Sequence, residues 1–279
     1  MNSDKELSNI IDNKDTNRSS YYPEVKLAGR GKLAFDWIPQ NCNRLLDGGC
    51  AYGYITKHLS KKSEKTYALD LDHKHIEIAT NRYPEIEFQV GSVSETKFED
   101  NFFDTIVSTD VLEHTEDKIQ TLNELSRILA PGGTLILTTP HKGLFGFLDP
   151  YNYGYNFKKY FPWIYKPTYK FIRLLKEGKL PKEYNPLHDD KHFHYSIKDF
   201  HSMLDQSKFS GNYSIEKVFR SGLFLEVFTM NLETIIGIIL SKKILNIILK
   251  PLTWASMVDY RIDYGVFGYN IAIKIIKKP

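Results

Sequence analysis

From Asn43 to Pro140, short apolar runs alternate with longer amphipathic ones, and this alternation constrains the fold more than any other feature of the 279 residues. "RLLDGG", "KTYALDLD", "IEFQV", "FDTIVST" and "GTLILTTP" read as strands, and "YGYITKHLSK", "HKHIEIATNRY" and "DKIQTLNELSRIL" as helices. Elements of these lengths in alternation predict βαβ units and a parallel sheet. The strands are apolar on both faces, as a sheet covered by helices requires. "APGG", Ala130 to Gly133, stops the last of these helices and turns into its strand. "YSIEKVF" and "YGVFGYNIAIKIIKK" (Tyr264 to Lys278) read as two further strands, the second alternating around Ile271, Ile273 and Ile275.

A ligand of such a sheet lies beyond the carboxyl ends of the strands. Those ends carry Asp47 and Gly48, Asp70 to Asp72, Gly91 and Ser92, Thr109 and Asp110, and Pro140 and His141. Turns also favour Asp, Gly and Ser, so one such end says little; the repetition at every strand carries the inference. The densest end is "DGGCAYG", with Gly48, Gly49, Ala51 and Gly53 within six positions. Glycine there either takes a backbone angle that other residues resist or lets a ligand approach the backbone. About twenty residues on, Asp70 follows "YAL" at a strand end, where an acid can accept both hydrogen bonds of a ribose diol. Asp72 reads better as a turn residue, because its neighbour His73 opens a helix.

Two ligand classes compete for this loop. A dinucleotide pyrophosphate wants G-x-G-x-x-G, which D-G-G-C-A-Y-G does not fit. The loop also begins with Asp47, a poor neighbour for a pyrophosphate and a good one for an ammonium group. On these residues the sequence resembles the class I S-adenosylmethionine-dependent methyltransferases, of the type 11/12 kind, whose first motif runs acid-x-Gly-x-Gly-x-Gly. Asp47, Gly49 and Gly53 match it, and Ala51 replaces the middle glycine. Since alanine resists a positive φ, position 51 is expected to need smallness and not an unusual backbone.

"ALDLD", "FDTIVSTDVLEHTED" and "ELSRILAPGGTLILTTP" resemble later motifs of the same family, in the same order, from about Leu45 to Pro140. The family often carries Gly-Asp after the third strand, where this chain has Gly91-Ser92. The resemblance implies S-adenosylmethionine as cofactor, with Asp47, Gly48, Gly49, Ala51, Gly53, Asp70, Leu71, Ser92, Val93, Thr109 and Asp110 as its contacts. It also implies a doubly wound, mostly parallel seven-stranded α/β sheet with an antiparallel last strand. A single methyltransferase domain is expected over residues 25–279, with its cofactor half at 41–140, behind a mobile polar tail at 1–24.

Two insertions interrupt the regular body. Residues 141–194 are crowded with aromatics and lysines and form a lid candidate; its rings could face an acceptor or pack as a second small core. Residues 223–258 are rich in isoleucine and leucine. In that stretch Glu233 to Lys250 is expected to form one amphipathic helix that Pro251 ends or kinks. Lys242 and Lys243 interrupt the apolar run short of the ~20 residues of a membrane span. A helix on an anionic membrane and a helix at a domain or dimer interface both fit.

For a base, His141 directly follows the fifth strand and His114 lies just after the fourth; His188, His192 and His194 fall in "HDDKHFHYS". Each histidine could instead make a structural hydrogen bond. Methyl transfer from a sulfonium needs no metal, and none is expected. Two cysteines rule out a disulfide framework and point to a reducing, cytoplasmic location, and a net charge of +3 gives no case for nucleic acid. The acceptor expected is a small molecule, a glycan or a lipid-linked compound, methylated on oxygen, with the enzyme on the inner face of a membrane and a homodimer possible. A silent partner protein that keeps the fold, or an NAD-dependent oxidoreductase, are the rivals.

Overall fold

The computed structural model describes residues 27–177, 192–236, 240 and 242–279. The expected tail at 1–24, His188 and the end of the lid candidate lie outside the described residues. One sheet of seven strands organises the chain: β1 (Cys42–Gly48), β2 (Ser63–Asp70), β3 (Glu87–Val90), β4 (Phe103–Thr109), β5 (Leu129–Pro140), β6 (Tyr213–Phe219) and β7 (Asn270–Lys277), in spatial order β3-β2-β1-β4-β5-β7-β6. The first five pair in parallel, and β7 runs antiparallel between β5 and β6.

Successive strand residues point to opposite faces, and both faces here are buried. Leu46, Ile106, Leu135 and Leu137 enter one apolar cluster together with Leu122 and Leu125 of α4 (Lys118–Ile128) and Phe200 and Leu204 of α7 (Ile197–Gln206). Their neighbours Leu45, Val107 and Ile136 enter a second, closed by Ala34 of α1 (Gly29–Trp37). Burying each Leu or Ile stabilises the fold by about 1.5–3 kcal/mol, so a polar substitution on either face is costly. Between β1 and β3 lie α2 (Tyr54–Leu59) and α3 (His73–Arg82). Asp72 caps α3, accepting from the Lys74 and His75 amides, and Asp117 caps α4 in the same way.

Three expectations change. "APGG" is no break before a strand: β5 starts at Leu129, and the register shifts between Phe103 and Thr105, where Gly132 takes φ 76°. Tyr264–Tyr269 is not strand but a turn, with a 3-10 stretch at Gly265–Phe267. Glu233 to Lys250 is not one helix. The structure has α8 (Phe224–Ile236), a bend at Leu240, α9 (Lys242–Ile248) and α10 (Lys250–Asp259), and Pro251 sits in the first turn of α10, where a proline's missing amide costs nothing.

The lid candidate folds as α5 (Pro150–Tyr160) and α6 (Pro162–Glu177), and α5 packs on α8, which packs on α10. Of its aromatics, Tyr160, Phe161, Trp163 and Phe171 are exposed, while the Phe157 ring meets those of Phe161 and Tyr165, and Tyr165 stacks on Tyr169.

Candidate cofactor site and its polar margin

A cavity of about 790 Å³ opens beyond the carboxyl ends of β1 to β4. Asp47, Gly49, Ala51, Asp70, Leu71, Ser92, Val93, Thr109 and Asp110 line it, and so does His114. The sequence thus drew nine of its eleven expected cofactor residues from the wall of one cavity. Gly48 and Gly53 do not line it. A Cβ at Gly48 would lie 2.8 Å from Val93, and one at Gly53, where φ is +74°, 2.8 Å from the Phe88 ring. Both are small because the loop packs closely on its own protein.

Ala51 departs from expectation in the opposite sense. Its φ is 44°, in the left-handed region. The strain is offset locally: the Asp70 carboxylate accepts the Ala51 amide at 2.9 Å, while the Gly49 and Cys50 amides donate to the Leu69 carbonyl at 2.8 and 3.0 Å. The tip of β2 therefore shapes the loop after β1. Asp70 also accepts from the Asp72 amide at 2.9 Å and faces His75 Nδ1 at 3.3 Å. A carboxylate has about four lone-pair sites, so a ribose hydroxyl can still bond to it.

Gly49 is constrained twice. Its φ is +85°, and an added Cβ would come within 2.1 Å of the Val111 side chain. Gly49→Val is thus expected to distort the loop before any ligand arrives. The melting temperature of the free protein and its affinity for S-adenosylhomocysteine should fall together; loss of affinity at unchanged melting temperature would mean that the valine meets only the ligand.

Asp47 is buried and accepts a 2.6 Å hydrogen bond from the Thr56 hydroxyl. Burial pushes its pKa up to about 6, against the Thr56 hydrogen bond and with help from the charge of Asp70. Above about pH 6 this buried acid is mostly ionised and favours a cationic ligand group.

Beyond β4 the margin becomes strongly polar. Asp110 has φ 58°, a conformation that Asp tolerates better than most residues. It pairs with Arg30 of α1 at 2.9 Å, and the same guanidinium nitrogen donates to Asn270 at 2.6 Å. Burial holds the Asp110 pKa up, and Arg30 opposes the shift. Glu113 is buried with its Oε2 atom unpartnered; burial, then the charge of Asp110, push its pKa up to about 8. The Tyr195 hydroxyl is also buried without a partner, and burial followed by the charge of Glu113 raises its pKa to about 12.

Glu113 holds its proton in the fold and loses it in the unfolded chain between about pH 4.5 and 8. The native state then binds more protons than the unfolded one, so this group's contribution to stability falls as pH rises across that window. Glu113→Gln should therefore leave the melting temperature nearly unchanged at pH 5 and raise it by about 5 °C at pH 9. Equal shifts at both pH values would mean that Glu113 is charged in the fold.

His141 is not at this cavity. Its ring is buried and its Nδ1 lies 2.9 Å from the Gly268 carbonyl, tying β5 to the turn before β7; burial lowers its pKa. Its strand-end position was legible, but its side chain is committed to Gly268 and is not among those that line the cavity. His192 and His194 both meet Asp149, at 3.1 and 2.9 Å. Among the described residues no group of three or more His, Cys, Asp and Glu side chains could hold a metal ion.

Arg30, Tyr52, Glu113 and Asp149 went unread in the sequence. Tyr52 lines the cavity and its ring lies 4.3 Å from that of His75; a bulky ring in a loop of small residues was the available signal. Arg30 sits in "GRGK", ahead of the regular alternation, and gave none.

Comparison with known proteins agrees with this geometry. Residues 46–137 match the family model described as a methyltransferase domain. The chain is similar to the "Probable S-adenosylmethionine-dependent methyltransferase" of Mycolicibacterium smegmatis, at 30% identity over 115 residues, 40% of this chain and 45% of that protein. It is similar to the ubiquinone biosynthesis O-methyltransferase of Caulobacter, at 28% identity over 137 residues, 46% of this chain and 52% of that one. The chain thus spans about half the length of the curated relatives it matches. In fold it is similar to the [4+2]-cyclase SpnF, with a TM-score of 0.55, 15% identity, and coverage of 95% and 92% of the two chains. The cavity wall fits S-adenosylmethionine, since it offers the carboxylates of Asp47 and Asp70 together with the apolar Leu69, Leu71 and Val93. Residues 46–137, in the seven-stranded sheet they help to build, are those of a class I S-adenosylmethionine-dependent methyltransferase domain.

Proposed function

We propose that this protein methylates a hydroxyl group of a small-molecule or lipid-linked acceptor, using S-adenosylmethionine. The observation that carries the reading is the single cavity that has Asp47 and Asp70 on its wall. Bound there, the cofactor supplies an electrophilic methyl group. Asp47 holds its cationic amino-acid end and Asp70 its ribose diol. Leu71, which is exposed on the cavity wall, and the buried Val93 flank the base, and Ser92 offers a hydroxyl to its edge. Tyr52 covers the opening between loop and α3 and keeps water from the sulfonium.

Oxygen as the atom methylated is supported by the O-methyltransferase relatives and by the acids and the histidine beyond β4. Methyl transfer to a panel of hydroquinones with short and long isoprenoid tails, read as S-adenosylhomocysteine formed, tests it; amines turned over in preference to every hydroquinone would refute oxygen as the target. The oxidoreductase reading does not account for Asp47. The fold alone does not fix a reaction, as the cyclase neighbour makes plain. A pyrophosphate would meet Asp47 here instead of bare amides.

The lipid-linked part of the reading rests on exposed apolar and basic residues of α6, α9 and α10. No described helix is long and apolar enough to cross a membrane. Trp163 (72% exposed) nonetheless stands out to solvent on the same helix as exposed Lys166 and Lys170, and Trp254 (69%) and Ile247 (69%) are exposed on α10 and α9. Residues 150–177 hold six Lys and Arg against one Glu. Aromatic rings at the headgroup level with lysines on anionic lipid make an interfacial surface. The protein should float with phosphatidylglycerol vesicles at low salt, and Lys166→Glu with Lys170→Glu should release it. Wild-type protein left at the bottom of the gradient would remove the membrane from the account.

A further inference from the structure

Resting on the methyl-transfer reading, we propose that Asp110 takes the proton of the acceptor hydroxyl on its Oδ2 atom, and that the acceptor is a neutral phenol or hydroquinone. Asp110 directly follows β4 and lines the cavity. Its φ of 58° is left-handed, a conformation that a non-glycine residue keeps only where its surroundings hold it, and such positions gather at functional sites. Here the Asp110 amide donates to the Thr138 carbonyl at 2.9 Å, the Thr138 hydroxyl donates to Oδ1 at 3.4 Å, and Arg30 Nη1 pairs with the same Oδ1 at 2.9 Å. Both side-chain contacts thus fall on one oxygen. Among the described residues nothing hydrogen-bonds to Oδ2, and the side chain keeps 32% exposure. A carboxylate fixed through one oxygen, with the other bare, is a base in a set place on the cavity wall.

The position along the sheet fits the role. In the strand order β3-β2-β1-β4, the base, ribose and amino-acid end of the cofactor take the ends of β3, β2 and β1. The end of β4 comes next and is left for the acceptor. Burial raises the Asp110 pKa, against the charge of Arg30 from α1, the Thr138 hydrogen bond from β5 and the charge of His192. The buried Glu113, one turn on, also bears on Asp110. A carboxylate so raised is a stronger base than usual, and it is matched to a phenol better than to an alcohol. The charge of the wall points to a neutral acceptor. Asp47, Asp70, Glu95, Asp110, Glu116 and Asp117 line the cavity, and no lysine or arginine is among its described lining residues. An acceptor with its own phosphate or carboxylate would meet like charge.

In the step itself, the acceptor oxygen forms its bond to the methyl carbon as its O–H proton passes to Asp110 Oδ2, and the carbon–sulfur bond breaks with its electron pair to sulfur. The protonated Asp110 then returns its proton to water as the ether leaves. Arg30 is a positioning residue in this scheme, since it holds Oδ1.

Asp110→Asn is the variant to test, because asparagine tolerates the left-handed backbone as well as aspartate does. The first readout is binding alone, with 4-nitrophenol on the complex with S-adenosylhomocysteine at pH 7.5. Free in solution this phenol is mostly ionised and yellow. Beside an ionised Asp110 it should bind as the neutral phenol and lose its colour; in Asp110→Asn, with Arg30 released, it should bind as the yellow phenolate. The second readout is turnover of 4-methoxyphenol. Asp110→Asn should cut kcat at least ~100-fold, with affinity for S-adenosylhomocysteine within about twofold of wild type, and Asp110→Glu should recover part of the loss. The same colour of bound phenol in both proteins, wild-type turnover by Asp110→Asn, or a fall in S-adenosylhomocysteine affinity that matches the fall in kcat would each overturn the proposal. So would a wild-type complex that neither binds 4-nitrophenol nor methylates 4-methoxyphenol. Failure of the wild-type protein to bind S-adenosylhomocysteine would instead refute the methyl-transfer reading on which it rests.

Discussion

Asp70→Ala will weaken S-adenosylhomocysteine binding by about 100-fold, more than the loss of one ligand contact alone. The carboxylate does two things at the tip of β2. It faces the cavity, and it holds the Ala51 amide at 2.9 Å, so that the loop after β1 keeps its left-handed turn. Hydrogen bonds to a charged group contribute about 1.5–3 kcal/mol, and relaxation of Ala51 out of a strained φ adds to the cost. The two parts separate in a cycle with cofactor analogues that lack one ribose hydroxyl. Removing the hydroxyl should cost the wild-type protein tenfold or more and the mutant little. A full additional loss in the mutant would show that Asp70 shapes the loop without touching the ribose.

The second large effect is on pH. Asp47 has its pKa raised to about 6 by burial, so in the free protein it is mostly protonated below that pH. A cationic ligand binds the ionised form. Affinity should therefore fall about tenfold for each pH unit below 6, and binding at pH 5.5 should release a proton, visible as a dependence of the binding enthalpy on the buffer. The same raised pKa means that the contribution of Asp47 to stability of the free protein is lost as pH rises from about 4 through 6, and that bound cofactor restores it. Asp47→Asn should bind 10- to 100-fold more weakly at pH 7.5 and show a flat profile. A wild-type affinity constant from pH 4.5 to 7.5 would mean that Asp47 serves Thr56 and not the ligand.

The sheet was legible because its strands obey one rule at every step. Leu45 and Leu46, Ile106 and Val107, and Leu135 and Ile136 are all apolar, and neighbours go to opposite clusters. The cavity was legible from the same rule, since it fixes where each strand ends. What sequence could not supply was the direction and company of single side chains. His141 ends a strand as Asp47 does, yet its ring turns to Gly268. Ala51 was read from the conformational taste of alanine, but an acid nineteen residues away decides its backbone. Gly48 and Gly53 looked like ligand contacts and make room for Val93 and Phe88. Asp149 meets His192 and His194 across more than forty residues, and no local pattern announces such a meeting.

The most direct measurement is calorimetric titration of the full chain at pH 7.5 with S-adenosylmethionine, S-adenosylhomocysteine and NAD in turn. The account predicts one site that binds the first two in the micromolar range and does not bind NAD. Binding of NAD in place of the sulfur compounds, or of none of the three, would contradict it.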